Sequence, residues 1–115
     1  MADDPRKIPV VFYRTAGGAE VVLDWLRGLG EEDRRVIGKD LMRVQFRWPV
    51  GMPLCRPLGN GLWELRCSLS GSRIARLFFS FVEGRLVALH GFVKKSQRTP
   101  PAELAIARKR QREFE

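Results

Sequence analysis

Residues 61–100, GLWELRCSLSGSRIARLFFSFVEGRLVALHGFVKKSQRTP, constrain the fold more than any other part of the chain. Three apolar, strand-like runs occur there, at residues 62–68, 73–82 and 85–94. Ser70-Gly71-Ser72 separates the first two and Glu83-Gly84 the last two. Links this short leave consecutive strands one simple arrangement, an antiparallel meander. Side chains alternate between the faces of a strand, so the runs sort themselves. Trp63, Leu65 and Cys67 share one face, and Glu64, Arg66 and Ser68 the other. On the next strand Ala75, Leu77, Phe79 and Phe81 form the apolar set, opposed by Ile74, Arg76, Phe78 and Ser80. The apolar sets are expected to pack on helices. Glu64, Arg66 and Arg76 would then lie together on an uncovered face.

Those helices are legible upstream. Residues 8–14 (IPVVFYR) read as a first strand and residues 15–18 (TAGG) as a turn. From 19 to 29, Val22, Leu26 and Leu29 fall on one helical face. Glu31, Glu32 and Asp33 suit the start of a second helix, where carboxylates meet the positive end of the dipole. Ile37, Leu41, Val44 and Trp48 follow at spacings of four, three and four, and Pro49 closes the pattern. The two helices form an amphipathic hairpin. Residues 50–60 (VGMPLCRPLGN), rich in Pro and Gly, read as a loop. Thr99-Pro100-Pro101 opens a last, heavily charged helix, with Thr99 as N-cap and Pro100 at the first helical position. The expected layout is an α+β β-α-α-β-β-β-α domain over residues 1–115. It has a twisted, mainly antiparallel sheet, with helices covering one face.

The chain carries a net charge of +8 over 115 residues. From residue 85 to the end there are eight basic residues against three acidic ones. Positive charge clustered in this way favours a polyanion, because each cation near a phosphate releases a condensed counterion. Other classes fall away. The longest apolar stretches are strand-sized, so no membrane span is expected. The N-terminal MADDPRK is not a signal peptide, which points to the cytoplasm. Cys55 and Cys67 lack the paired spacing of a zinc site. A single histidine, His90, rules out a two-histidine acid–base pair within one chain. No Gly-rich phosphate loop, HExxH or GxSxG occurs.

On an ordinary solvated sheet, Glu64 with Arg66 or Arg76 would be a cross-strand ion pair worth a fraction of a kcal/mol. One carboxylate cannot satisfy two arginines and the two lysines, Lys94 and Lys95, that end the last strand. The surplus suits RNA binding or cleavage. Metal-free cleavage of RNA needs an aligned 2′-OH relieved of its proton, cations around the pentavalent phosphorus, and a proton or cation at the departing 5′-oxygen. Arginine meets phosphate oxygens with a planar fork. A lysine crowded by other cations can shuttle protons. Glu64 can serve as base or can position a lysine.

The segments GLWELR, IARLFF and LHGFVKKSQRTP, in that order and followed by a charged helix, resemble the RelE/HigB superfamily of toxin–antitoxin toxins, in its phage-derived, HigB-like branch. The resemblance implies a RelE-like fold and a cytoplasmic, metal-independent endoribonuclease that needs no cofactor. Its substrate would be mRNA in the ribosomal A site, cut to a 2′,3′-cyclic phosphate. The partner implied is a cognate antitoxin of the helix-turn-helix type. Arg76, Glu64, Arg66, Lys94 and Lys95 are the expected catalytic residues, and Arg73, Arg98 and Lys109 the expected RNA contacts. Some relatives use a late tyrosine or histidine as acid or base, but here no tyrosine follows Tyr13. His90 stays a candidate because histidine is a common acid and base in catalysis, although its place within the strand reads as structural. The rival readings are a non-catalytic RNA- or ribosome-binding protein and an inactive partner of the antitoxin.

Overall fold

The structure is a computed structural model that describes residues 6–114. The N-terminal residues 1–5, most of the segment read as lacking a signal peptide, lie outside it. The chain is α+β. Five strands, β1 (Val10–Phe12), β2 (Cys55–Gly59), β3 (Leu62–Ser68), β4 (Ile74–Val82) and β5 (Arg85–Lys94), form one mixed sheet in the order β1-β5-β4-β3-β2. The helices are α1 (Val21–Gly28), α2 (Glu31–Arg47) and α3 (Pro101–Glu113). The meander β3-β4-β5 is antiparallel, whereas β1 runs parallel to β5. Among the described residues, no helix is long and apolar enough to cross a membrane.

The hairpin α1/α2 packs as its periodicity predicts. Val22, Ile37 and Val44 are buried against Leu65, Cys67, Ala75, Leu77 and Phe79, with Leu26, Leu29, Leu41 and Trp48 around them. Backbone and ring approach closely at Gly91, where a Cβ would stand 2.3 Å from the Trp25 ring. Arg73 fixes the start of β4 to the first turn of α2 through a bidentate pair with Asp33, at 2.8 and 3.0 Å.

Three expectations are corrected. The Pro- and Gly-rich segment is not all loop, so the order is β-α-α-β-β-β-β-α. Its β2 pairs antiparallel with β3, setting Arg56 opposite Glu64. An edge strand needs hydrogen-bonding groups on one side only, so Pro57 is tolerated there. Next, the helices do not cover one face alone. Leu62, Phe78, Val87, Leu89 and Phe92 form a second apolar cluster on the opposite face, closed by Ala107, Leu104 and Phe114 of α3 and its C-terminus. Apolar residues on both faces require cover on both. Finally, Thr99 does not cap α3. Pro100 is the cap residue, its carbonyl accepting from the N–H of Glu103 and Leu104, and Pro101 opens the helix.

The β4–β5 pairing also slips. Phe78 pairs with His90, but Phe79 pairs with Ala88. Leu89 is the extra residue. Both Leu89 and His90 therefore reach the α3 side, as a β-bulge allows.

Candidate functional site

The site is assembled on the α3 side of the sheet. Cross-strand register sets Arg56 opposite Glu64, and Arg66 opposite Arg76. Two arginines facing each other repel, so a counter-charge is needed. Glu64 supplies it. Its Oε1 lies 3.5 Å from Arg66 Nε and its Oε2 3.9 Å from Arg76 Nε. Glu64 and Arg76 are fully buried, and Arg66 retains 19% side-chain exposure. The expectation that Glu64, Arg66 and Arg76 lie together on an uncovered face is therefore wrong, because that face is covered. The residues between β5 and α3 lie over the cluster and exclude water.

That connection reaches each of the three charged groups. Arg76 Nη2 donates to the carbonyl of Ser96. Arg66 Nη2 donates to the carbonyl of Gln97 at 2.8 Å and to its Oε1 at 3.3 Å. Thr99 Oγ1 donates to Glu64 Oε2 at 2.5 Å. The cluster is still underbonded. Among the described residues, Glu64 Oε1 and the Nε and Nη1 of Arg76 find no hydrogen-bond partner. Burial lowers the Arg76 pKa from its ordinary value; Arg66 adds to the effect, Glu64 opposes it and Arg56 adds a little more. A guanidinium in this state attracts anionic oxygen strongly, because few partners and little water compete for it.

The other expected residues divide. Lys94 pairs with Ile74, so it shares the Arg76 face one step further along the sheet. Lys94, Lys95 and Arg98 are exposed around the cluster. Lys109 is exposed on α3. Arg73 is not brought to the cluster, since its guanidinium is held by Asp33 of the hairpin. His90 stacks in a row with Phe78 and Phe92, at 6.1 and 6.0 Å, and Arg76 lies over Phe92 at 5.6 Å. Its Nε2 meets Glu103, and its Nδ1 lies 3.3 Å from Arg110 Nη1. His90 therefore joins α3 to the sheet. Cys55 and Cys67 are buried, and burial pushes their thiols up, to about 11 for Cys55, so neither is poised as a nucleophile.

Sequence reasoning missed Arg56, Ser96, Gln97, Thr99 and Glu103. Arg56 was hidden because its strand looked like a loop. The spacing of Glu103, Ala107 and Arg110 on one helical face was a legible sign that α3 turns those residues inward. A cleft of about 650 Å³ borders the cluster, lined by residues of α2, the loop after it, the sheet and the segment after β5, among them Arg43, Met52, Arg66 and Gln97.

A family model described as "Phage derived protein Gp49-like (DUF891)" matches residues 24–112, which include every residue of this cluster. No curated protein matches the chain. The match spans most of the length, from within α1 to the last turn of α3. The chain thus belongs to the Gp49-like family of phage-derived proteins, within the RelE/HigB-type toxin superfamily.

Proposed function

We propose that this chain is the toxin of a type II toxin–antitoxin module, of the HigB-like branch, acting as a single RelE-like domain in the cytoplasm. It cleaves mRNA in the ribosomal A site without a metal. The observation that carries the reading is one carboxylate, Glu64, set among Arg66, Arg76 and Arg56 and already accepting an aliphatic hydroxyl from Thr99. That is the donor set that attack by a ribose 2′-OH requires. Glu64 takes the 2′-OH proton as oxygen bonds to phosphorus. Arg66 and Arg76 receive the non-bridging oxygens as charge gathers on them, and the P–O5′ bond breaks. Lys94 or Lys95 gives a proton to the departing 5′-oxygen, which leaves as the 5′-hydroxyl. The exposed Arg98 and Lys109 hold flanking phosphates, and the cleft beside Arg66 offers the RNA a path to the cluster. The product is a 2′,3′-cyclic phosphate. The partner is a cognate antitoxin of the helix-turn-helix type.

One observation favours a second reading. Arg76 and Glu64 are buried while Lys94, Lys95 and Arg98 are exposed, a pattern that suits RNA or ribosome binding without cleavage. Primer extension on mRNA from expressing cells separates the two. Discrete new 5′ ends within codons support the nuclease, and arrested translation without them supports the binder.

A further inference from the structure

The four residues 96–99 supply a partner for each of the three charged groups at the centre of the cluster. The Ser96 carbonyl faces Arg76, the Gln97 carbonyl faces Arg66 at 2.8 Å, and the Thr99 hydroxyl faces Glu64 at 2.5 Å. Two oxygen acceptors on two guanidinium groups, with one hydroxyl on a carboxylate, form the pattern that a ribose and its 3′-phosphate would present. We infer that residues 96–99 are a self-masking strap that occupies the RNA position as a substrate mimic and must lift for the site to work. The inference rests on the reading of the cluster as an RNA site.

Three features fit a strap that lifts. The first is incomplete satisfaction. Among the described residues, the Nε and Nη1 of Arg76 lack acceptors under the strap and Glu64 Oε1 lacks a donor, so a phosphate with more oxygens to offer Arg76, carried on a ribose whose hydroxyl can donate to Glu64, makes a better partner than the strap. The second is exposure. Ser96, Gln97 and Arg98 are exposed and belong to no helix or strand, so lifting them disrupts no sheet ladder. The third lies in α3, which continues from the strap. Only Ala107 of that helix is fully buried, and polar links hold much of the rest: Arg108 to the carbonyls of Leu58 and Gly59, Gln111 to that of Asn60, Arg110 to that of Leu89, and Glu103 to His90. Water can replace such links at modest net cost.

Thr99 is the point at which to test the strap. Thr99→Val keeps shape and β-branching before Pro100 but removes the hydroxyl from Glu64. Binding of a fluorescent single-stranded RNA oligonucleotide is measured by anisotropy for the wild type and the variant. Amide hydrogen exchange of residues 96–99 is followed with and without the RNA. The expected result is about tenfold tighter binding by Thr99→Val, roughly what one charge-assisted hydrogen bond sustains. In the wild type, exchange at 96–99 should accelerate when RNA binds. Equal affinity of the two proteins, together with unchanged or slowed exchange in the wild type, overturns the strap and leaves the RNA site standing. If neither protein binds the RNA, the reading of the cluster falls and the strap falls with it. If Thr99→Val does not fold, the wild-type exchange result decides by itself.

Discussion

The two faces of the sheet are held by different physics. On the hairpin side α1 and α2 bring Val22, Ile37 and Val44 into a continuous apolar core with Leu65, Leu77 and Phe79. On the opposite side α3 brings Leu104 and Ala107, with Phe114 after it, and reaches the sheet elsewhere through Glu103, Arg108, Arg110 and Gln111. Apolar burial has no substitute in water, whereas a hydrogen bond exchanged for one to solvent loses about 0.5–1.5 kcal/mol. The hairpin face is therefore the scaffold. The α3 face is where the chain can release one set of partners and take another, and that is where the arginine cluster lies.

The contrast is broken most readily by truncation. Phe79→Ala should cost about 3–5 kcal/mol in urea unfolding, as a buried aromatic on the scaffold face. Leu104→Ala, on α3 and half-buried against the sheet, should cost about 1–2 kcal/mol. Comparable losses at the two positions would mean that α3 is as firmly seated as the hairpin. Glu64→Ala tests the polar face directly. A buried Arg76 left without its carboxylate should cost about 3–5 kcal/mol, against less than about 1 kcal/mol for a solvated pair. A small loss here would show that water reaches the cluster. Gly91→Ala comes next, at about 1–3 kcal/mol, because the new methyl meets the Trp25 ring and α1 must shift on β5. A neutral Gly91→Ala would show that the hairpin yields easily.

The hairpin side was legible in sequence because its signal is periodic. Ile37, Leu41, Val44 and Trp48 announce a buried helix face, and Trp63, Leu65 and Cys67 announce the strand face beneath it. The other side was read as open because α3 carries few apolar residues, and its contacts run through arginines that look like surface charge. Glu64 and Arg76 were placed correctly by alternation, but their burial was not, since it comes from a strap far along the chain. Arg56 depended on an edge strand that Pro57 and Gly59 disguised. His90 reached the α3 side through a bulge, and no alternating pattern encodes one extra residue.

A smaller effect separates the faces by pH. The bidentate bond from Arg73 holds the Asp33 carboxyl below its ordinary value, against the opposing effect of burial. Asp33 therefore adds stability that is fully present above the unfolded carboxylate range, near about pH 4. It is lost as the pH falls through the depressed folded value. Asp33→Asn should flatten that part of the acid limb in urea titrations between neutrality and strong acid. An unchanged acid limb would place the tie between hairpin and meander elsewhere.

That the Glu64 cluster cleaves RNA is tested best at Arg66, which is partly accessible rather than sealed. The measurement is the formation of 2′,3′-cyclic phosphate ends on a defined mRNA carried by translating ribosomes, comparing wild type with Arg66→Ala of matched melting temperature. Such ends are expected with the wild type, and a rate lower by about 10²–10³-fold with Arg66→Ala. Equal rates for the two proteins, or ribosome arrest by the wild type with the mRNA intact, would contradict it.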